Sequence, residues 1–92
     1  MSGGPDLTPE RTRILELVSY LAVNLVDHPE AVTVDLVETP DGDTYHLRVH
    51  ADDLGQLIGK GGQTARALRT LLQAVGYRGD QRIGLEIAER NA

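Results

Sequence analysis

Between Ile58 and Gln63 the run Gly59-Lys60-Gly61-Gly62 breaks an otherwise helical stretch in two. Each glycine costs a helix interior about 1 kcal/mol relative to alanine, so three within four residues force a bend. The chain around them therefore reads as helix, bend, helix. Upstream, Leu54, Leu57 and Ile58 supply the apolar side of a short helix that Ala51 or Asp52 can cap, with Asp53 as a favourable charge in its first turn. Downstream, Ala65, Leu68, Leu72 and Val75, flanked by Leu71, make an apolar stripe, while Arg66, Arg69 and Gln73 fall together on another face. Gly76 is a natural stop for this second helix.

The rest of the chain is patterned as clearly. Thr8-Pro9-Glu10 combines a cap residue, proline at the first helical position and an acid in the first turn, and predicts a helix to about Val26. Ile14, Leu17, Val18, Leu21 and Leu25 form its stripe, with Arg11, Arg13 and Asn24 leaning outward, and Asp27-His28-Pro29 ends it. Val32, Val34 and Leu36 then alternate with Thr33, Asp35 and Val37, and Tyr45, Leu47 and Val49 with His46, Arg48 and His50. With Thr39-Pro40-Asp41-Gly42-Asp43 between them these are the strands of a hairpin, and Gly42 is expected at a positive φ for structural reasons. Ile83, Leu85 and Ile87 alternate in a last strand. The order is helix, strand, strand, helix, helix, strand. That is an α+β fold with a three-stranded sheet and its helices packed on one face. Residues 1–7 are expected to be a flexible N-terminus, and 8–90 a single domain.

Ninety-two residues allow one thin core and no deep cleft between domains. The absence of cysteine excludes disulfides, thiolate metal sites and a cysteine nucleophile. No apolar run approaches the about 20 residues that span a bilayer, and the first residues lack the basic and apolar regions of a signal peptide, so a cytoplasmic location is expected. The net charge of −5 is unevenly distributed. Residues 1–53 carry three basic and eleven acidic side chains, residues 54–92 six basic and three acidic, so the tetrad lies in the basic part.

A helix starting at a bend offers unpaired N–H groups and the positive end of its dipole, which favour an anion. Without Cβ atoms at Gly59, Gly61 and Gly62 a sugar-phosphate chain can approach closely, Lys60 adds a mobile charge, and Arg66 and Arg69 extend the basic track. A bare G-x-x-G is weak information, since ten glycines in this length place two of them three apart about once by chance. Gly76-Tyr77-Arg78-Gly79 matches too, and is read as helix stop and turn. The flanking helices distinguish the tetrad at 59–62. A nucleotide P-loop is excluded, because only three residues separate Gly55 from Gly59-Lys60 and Gly61 stands where a magnesium-binding hydroxyl belongs.

The element order together with Ile58-Gly59-Lys60-Gly61-Gly62 resembles a KH domain of the type II arrangement. Gly55-Gln56-Leu57-Ile58-Gly59-Lys60-Gly61-Gly62-Gln63-Thr64, followed by Ala67-Leu68-Arg69-Thr70, is similar to the central segment of the small stand-alone bacterial KH proteins, the KhpA family. The likeness implies single-stranded RNA as partner, about four nucleotides being held between the loop and a groove. On this resemblance Gly59, Lys60, Gly61 and Gly62 are the RNA-holding loop, Leu57 and Ile58 an apolar groove wall, and Arg66 and Arg69 a flanking basic track. It also implies a homodimer, or pairing with a larger KH-containing RNA-binding protein. Ala65 departs from the larger aliphatic residue usual at its position. With no Trp or Phe, and Tyr20, Tyr45 and Tyr77 outside the motif, stacking on bases is a minor contribution. The rival reading is a KH-fold module for dimerisation or docking with little RNA affinity, favoured by the acidic balance.

No catalytic residue, cofactor or metal site is predicted. His46 and His50, taken as one strand, lie about 13 Å apart at about 3.3 Å per residue, too far for one ion. His28 reads as a helix-terminus residue, and Asp52 and Asp53 as a cap and its charge rather than an acidic pair. Hydrolysis has no candidate nucleophile, and no enzyme is expected.

Overall fold

The computed structural model describes residues 6–58, 63–76 and 82–90. Helix α1 spans Pro9–Leu25, capped by Thr8, whose Oγ1 accepts from the Arg11 N–H at 3.2 Å. A single 3₁₀ turn, Pro29–Ala31, follows before strands β1 (Thr33–Thr39) and β2 (Gly42–Val49). Helices α2 (Ala51–Ile58) and α3 (Gln63–Gly76) lead to strand β3 (Arg82–Glu89). The expected order is thus found, the 3₁₀ turn being the one addition among the described residues.

The sheet runs β1-β2-β3. β1 and β2 pair antiparallel from Thr39↔Gly42 at the turn to Thr33↔Arg48. β2 and β3 pair parallel from Gly42↔Arg82 to Val49↔Glu89, so α2, the tetrad and α3 form the crossover between two neighbouring parallel strands. Gly42 has φ 136°, a conformation that disfavours a Cβ, as the Pro-Asp-Gly signal implies.

One face of the sheet carries the core. Leu36, Tyr45, Leu47, Val49 and Leu85 meet Ile14, Val18 and Ala22 of α1, Leu57 of α2, and Leu68 and Leu72 of α3. Period-two alternation on the strands and a three- to four-residue stripe on each helix put these residues on facing surfaces. Leu25, expected in the α1 stripe, is half-exposed instead, because the helix ends there.

Arg11 corrects a second expectation. It does not lean outward but turns in over the hairpin end. Its Nε and NH2 groups donate to the two oxygens of Asp43, each at 3.0 Å, and NH2 also donates to Glu38 at 2.8 Å. Asp43 sits on the inner sheet face and is buried, so a planar bidentate cation satisfies a carboxylate that helical periodicity on α1 could not foresee. The two carboxylates hold the Arg11 guanidinium well above its ordinary pKa, fixing it as a cation.

Candidate nucleic-acid interface

Helix α2 aims the chain at the tetrad. Its start is set by His50, one residue beyond β2, whose carbonyl accepts from the N–H groups of Asp53 and Leu54 and whose Nδ1 accepts from the Asp52 N–H at 3.1 Å. The cap is therefore His50, not Ala51 or Asp52. Imidazole is a rare cap, which is why the residue-type signal pointed one or two positions downstream.

Asp53 does something else entirely. Buried to 1 % exposure, it reaches back to the end of α1 and accepts from the N–H groups of Asp27 and His28, both at 3.0 Å. The His28 ring Nδ1 lies 3.1 Å from the same carboxylate. Burial by itself would raise this carboxyl's pKa. The two backbone donors and the His28 ring outweigh it and hold the group below the usual carboxylate range. Asp53 thus closes the gap that Pro29 opens after α1, a role invisible from spacing because its partners lie 25 and 26 residues away.

On α2 the inner side is Leu57, 3 % exposed, with half-buried Leu54, while Gly55 and Gln56 face out. Leu57, expected as a groove wall, belongs to the core and also lines an open cleft of about 590 Å³. Leu25, Asp52, Gly55, Gln56 and Thr64 complete that cleft. Gly55 leaves it unobstructed, a Cβ there meeting nothing within 4 Å. The Gly59-Lys60-Gly61-Gly62 tetrad and the Ile58 side chain lie outside the described residues, as does the second G-x-x-G beyond Gly76. Ile58 ends α2 and Gln63 opens α3 on either side of the tetrad.

Helix α3 presents its sides as the periodicity implies. Ala65, Leu68 and Leu72 are buried, and the small Ala65 fits at 2 % exposure. Arg66, Arg69 and Gln73 are exposed. Arg69 is further tied to the sheet, its Nε donating to the Leu85 carbonyl of β3 at 3.2 Å, whereas Arg66 borders a shallow apolar surface with Ala67, Thr70, Leu71 and Ala74. The two arginines lie one turn apart on the helix that leaves the tetrad.

Of the three histidines, His46 lies on a strand surface and His28 just past the end of α1, as expected, and only His50 departs from its predicted strand position. His46 stays on the outer sheet face, 3.9 Å from Glu86, while His50 leaves the strand and stacks on His28, ring centroids 4.0 Å apart. No helix among the described residues is long and apolar enough to cross a membrane.

The family model described as the KH domain of KhpA/KhpB matches residues 15–87, from the middle of α1 to the end of β3. The chain belongs to the KhpA/KhpB KH-domain family. A Listeria monocytogenes protein named RNA-binding protein KhpA is 47 % identical over 74 residues, which cover 80 % of this chain and 97 % of that protein. The protein of the same name from Mycobacterium tuberculosis is 47 % identical over 66 residues, covering 72 % and 82 % respectively. That of Oceanobacillus iheyensis is 41 % identical over 71 residues, covering 77 % and 95 %. No solved structure matches the chain. The KhpA/KhpB assignment agrees with the α+β arrangement found here, three helices on a three-stranded mixed sheet as in a type II KH domain, and it places the chain in a family of RNA-binding proteins, not of enzymes.

Proposed function

We propose that this chain binds single-stranded RNA in the cytoplasm, holding about four nucleotides at the Gly59–Gly62 loop. The observation that carries the reading is that α2 and α3, which flank the tetrad in sequence, are each anchored in the core by one side only and leave an open cleft lined by Gly55, Gln56 and Thr64 and an exposed Arg66. In this reading the loop backbone and Lys60 hold phosphates, Arg66 and Arg69 extend the positive field, and Leu57 and Ile58 support the apolar side of a base groove. Arg69, already bonded to β3, contributes charge more than reach. Two to three neutralised phosphates give a slope of about −1.5 to −2 for log K against log salt on a single strand.

One copy with so few aromatic residues binds weakly, and pairing raises avidity without new contacts. The exposed Ala67, Leu71 and Ala74 on α3 favour self-association or docking on a larger KH-containing protein, and the same surface favours the second reading, a docking module with little RNA affinity.

The test is fluorescence anisotropy of mixed-sequence single-stranded RNA with the wild type and with a Lys60→Asp, Gly61→Asp double variant whose fold is verified by circular dichroism. Binding by the wild type and its loss in the folded variant support the clamp. Equal binding by both sinks it, and no binding by either leaves the docking module.

A further inference from the structure

Away from the tetrad, the exit of α1 and the entry of α2 bring three metal-ligating side chains together: His28, His50 and Asp52 each offer a donor atom within 4.8 Å of the others. Their proton positions follow from their neighbours. Asp53, charged and already accepting two N–H groups, can only accept, so His28 carries its proton on Nδ1 and leaves Nε2 as a lone pair. A buried carboxylate orienting an imidazole in this way is the usual outer support of a metal-bound histidine. His50 accepts the Asp52 N–H on Nδ1, which is therefore also a lone pair, and the Asp52 carboxylate stands 3.8 Å from it. All three groups are open to solvent, with side chains 34 %, 42 % and 76 % exposed. Asp27 and Asp53 make the surroundings more negative, which favours positive charge there, a bound cation included.

We infer that His28, His50 and Asp52 form a site for a divalent transition-metal ion of the zinc class, two imidazoles and one carboxylate with water completing the shell. The rings are stacked with planes 13° apart, so their in-plane lone pairs cannot meet at one ion. Ligation turns the more exposed ring, His50, out of the stack and takes its Nδ1 from the α2 cap. Ion binding and the side-chain cap of α2 are thus alternatives, and the site is an exchangeable one rather than a structural zinc. This assignment departs from the expectation drawn from spacing alone, because the approach of residue 28 to residue 50 is purely tertiary.

The experiment is calorimetric titration of the full tag-free chain with Zn²⁺ at about pH 7.5, where imidazoles are neutral. It includes His50→Asn, which keeps a good helix cap, His28→Gln, and His46→Gln as a control distant from the site, each checked for folding by circular dichroism. One ion per chain is expected, bound at least about tenfold more weakly by His50→Asn and His28→Gln and unchanged by His46→Gln. Near pH 5.5 the wild-type affinity falls as protons compete for the rings. Shifts of the His28 and His50 ring resonances on adding Zn²⁺ provide a second readout. No binding at about 1 mM Zn²⁺, equal binding by folded His50→Asn, or loss that follows His46 overturns the site.

Discussion

Tyr45 shows how much one side chain's surroundings decide. Its ring fills the centre of the sheet's inner face at 0 % exposure, and its hydroxyl has no hydrogen-bond partner among the described residues. Burial, then the nearby Asp43 carboxylate, push its pKa up to about 12. A phenol with a raised folded-state pKa keeps its proton while the unfolded chain loses it, so its contribution holds below about pH 10 and drains away as pH climbs towards the folded value. Absorbance titration should therefore show one tyrosine ionising near pH 12, and Tyr45→Phe should abolish that step. Because the buried hydroxyl has no partner among the described residues, Tyr45→Phe is expected to be neutral or to stabilise by up to about 1 kcal/mol in urea unfolding. A loss of more than about 1 kcal/mol would show that the hydroxyl is satisfied in solution. Arginine 11, two residues from a helix start and spaced for solvent, belongs to the same lesson: its destination was set by Asp43, 32 residues away, and no periodicity on α1 encodes that.

Among the elements, α2 is the most informative. It has eight residues, and Gly55 sits in its interior with open space where a Cβ would go. Gly55→Ala should raise stability by about 0.5–1 kcal/mol, measured by thermal or urea unfolding. If the cleft beside α2 receives RNA, the same variant weakens RNA binding despite its greater stability, and unchanged affinity would place the bases elsewhere. The elements themselves were legible from local signals: Thr8-Pro9 opened α1, the alternation at 45–49 and 83–87 gave strands, and the apolar stripe Ala65-Leu68-Leu72 gave the buried side of α3. What stayed hidden was mainly long-range. The turn of Asp53 back to residues 27 and 28 and the His28–His50 stack depend on how α1 ends against α2, whereas the local His50 cap was hidden only because imidazole is a rare cap. Of the site residues, the faces of Arg66 and Arg69 were readable from helical spacing, whereas the Arg69 bond to Leu85 depends on α3 lying over β3.

Across the whole molecule, Asp53 adds a polar fastening between the end of the N-terminal helix and α2, beside the apolar packing of α1 on α3. Since its folded-state pKa is depressed, the native state keeps this carboxylate charged where an unfolded chain would protonate it. Its contribution is complete above about pH 4 and is lost as pH falls through the lower folded value. Acid unfolding followed by circular dichroism should show a step in that window, and Asp53→Asn should flatten it while lowering stability at neutral pH. A wild-type profile unchanged by Asp53→Asn would mean that another carboxylate governs acid unfolding.

The parallel pairing of β2 with β3 also carries a consequence for timing. Helix α3 rests on β3, which follows it in sequence, so while the polypeptide is being synthesised the apolar stripe of α3 lacks much of its support until residue 89 has joined the sheet. Ile58 and Gln63, the residues that flank the tetrad, are thus set in their final relation only once β3 has paired with β2. A nascent chain carrying every residue of the proposed clamp, yet lacking its final strand, would not have that clamp assembled.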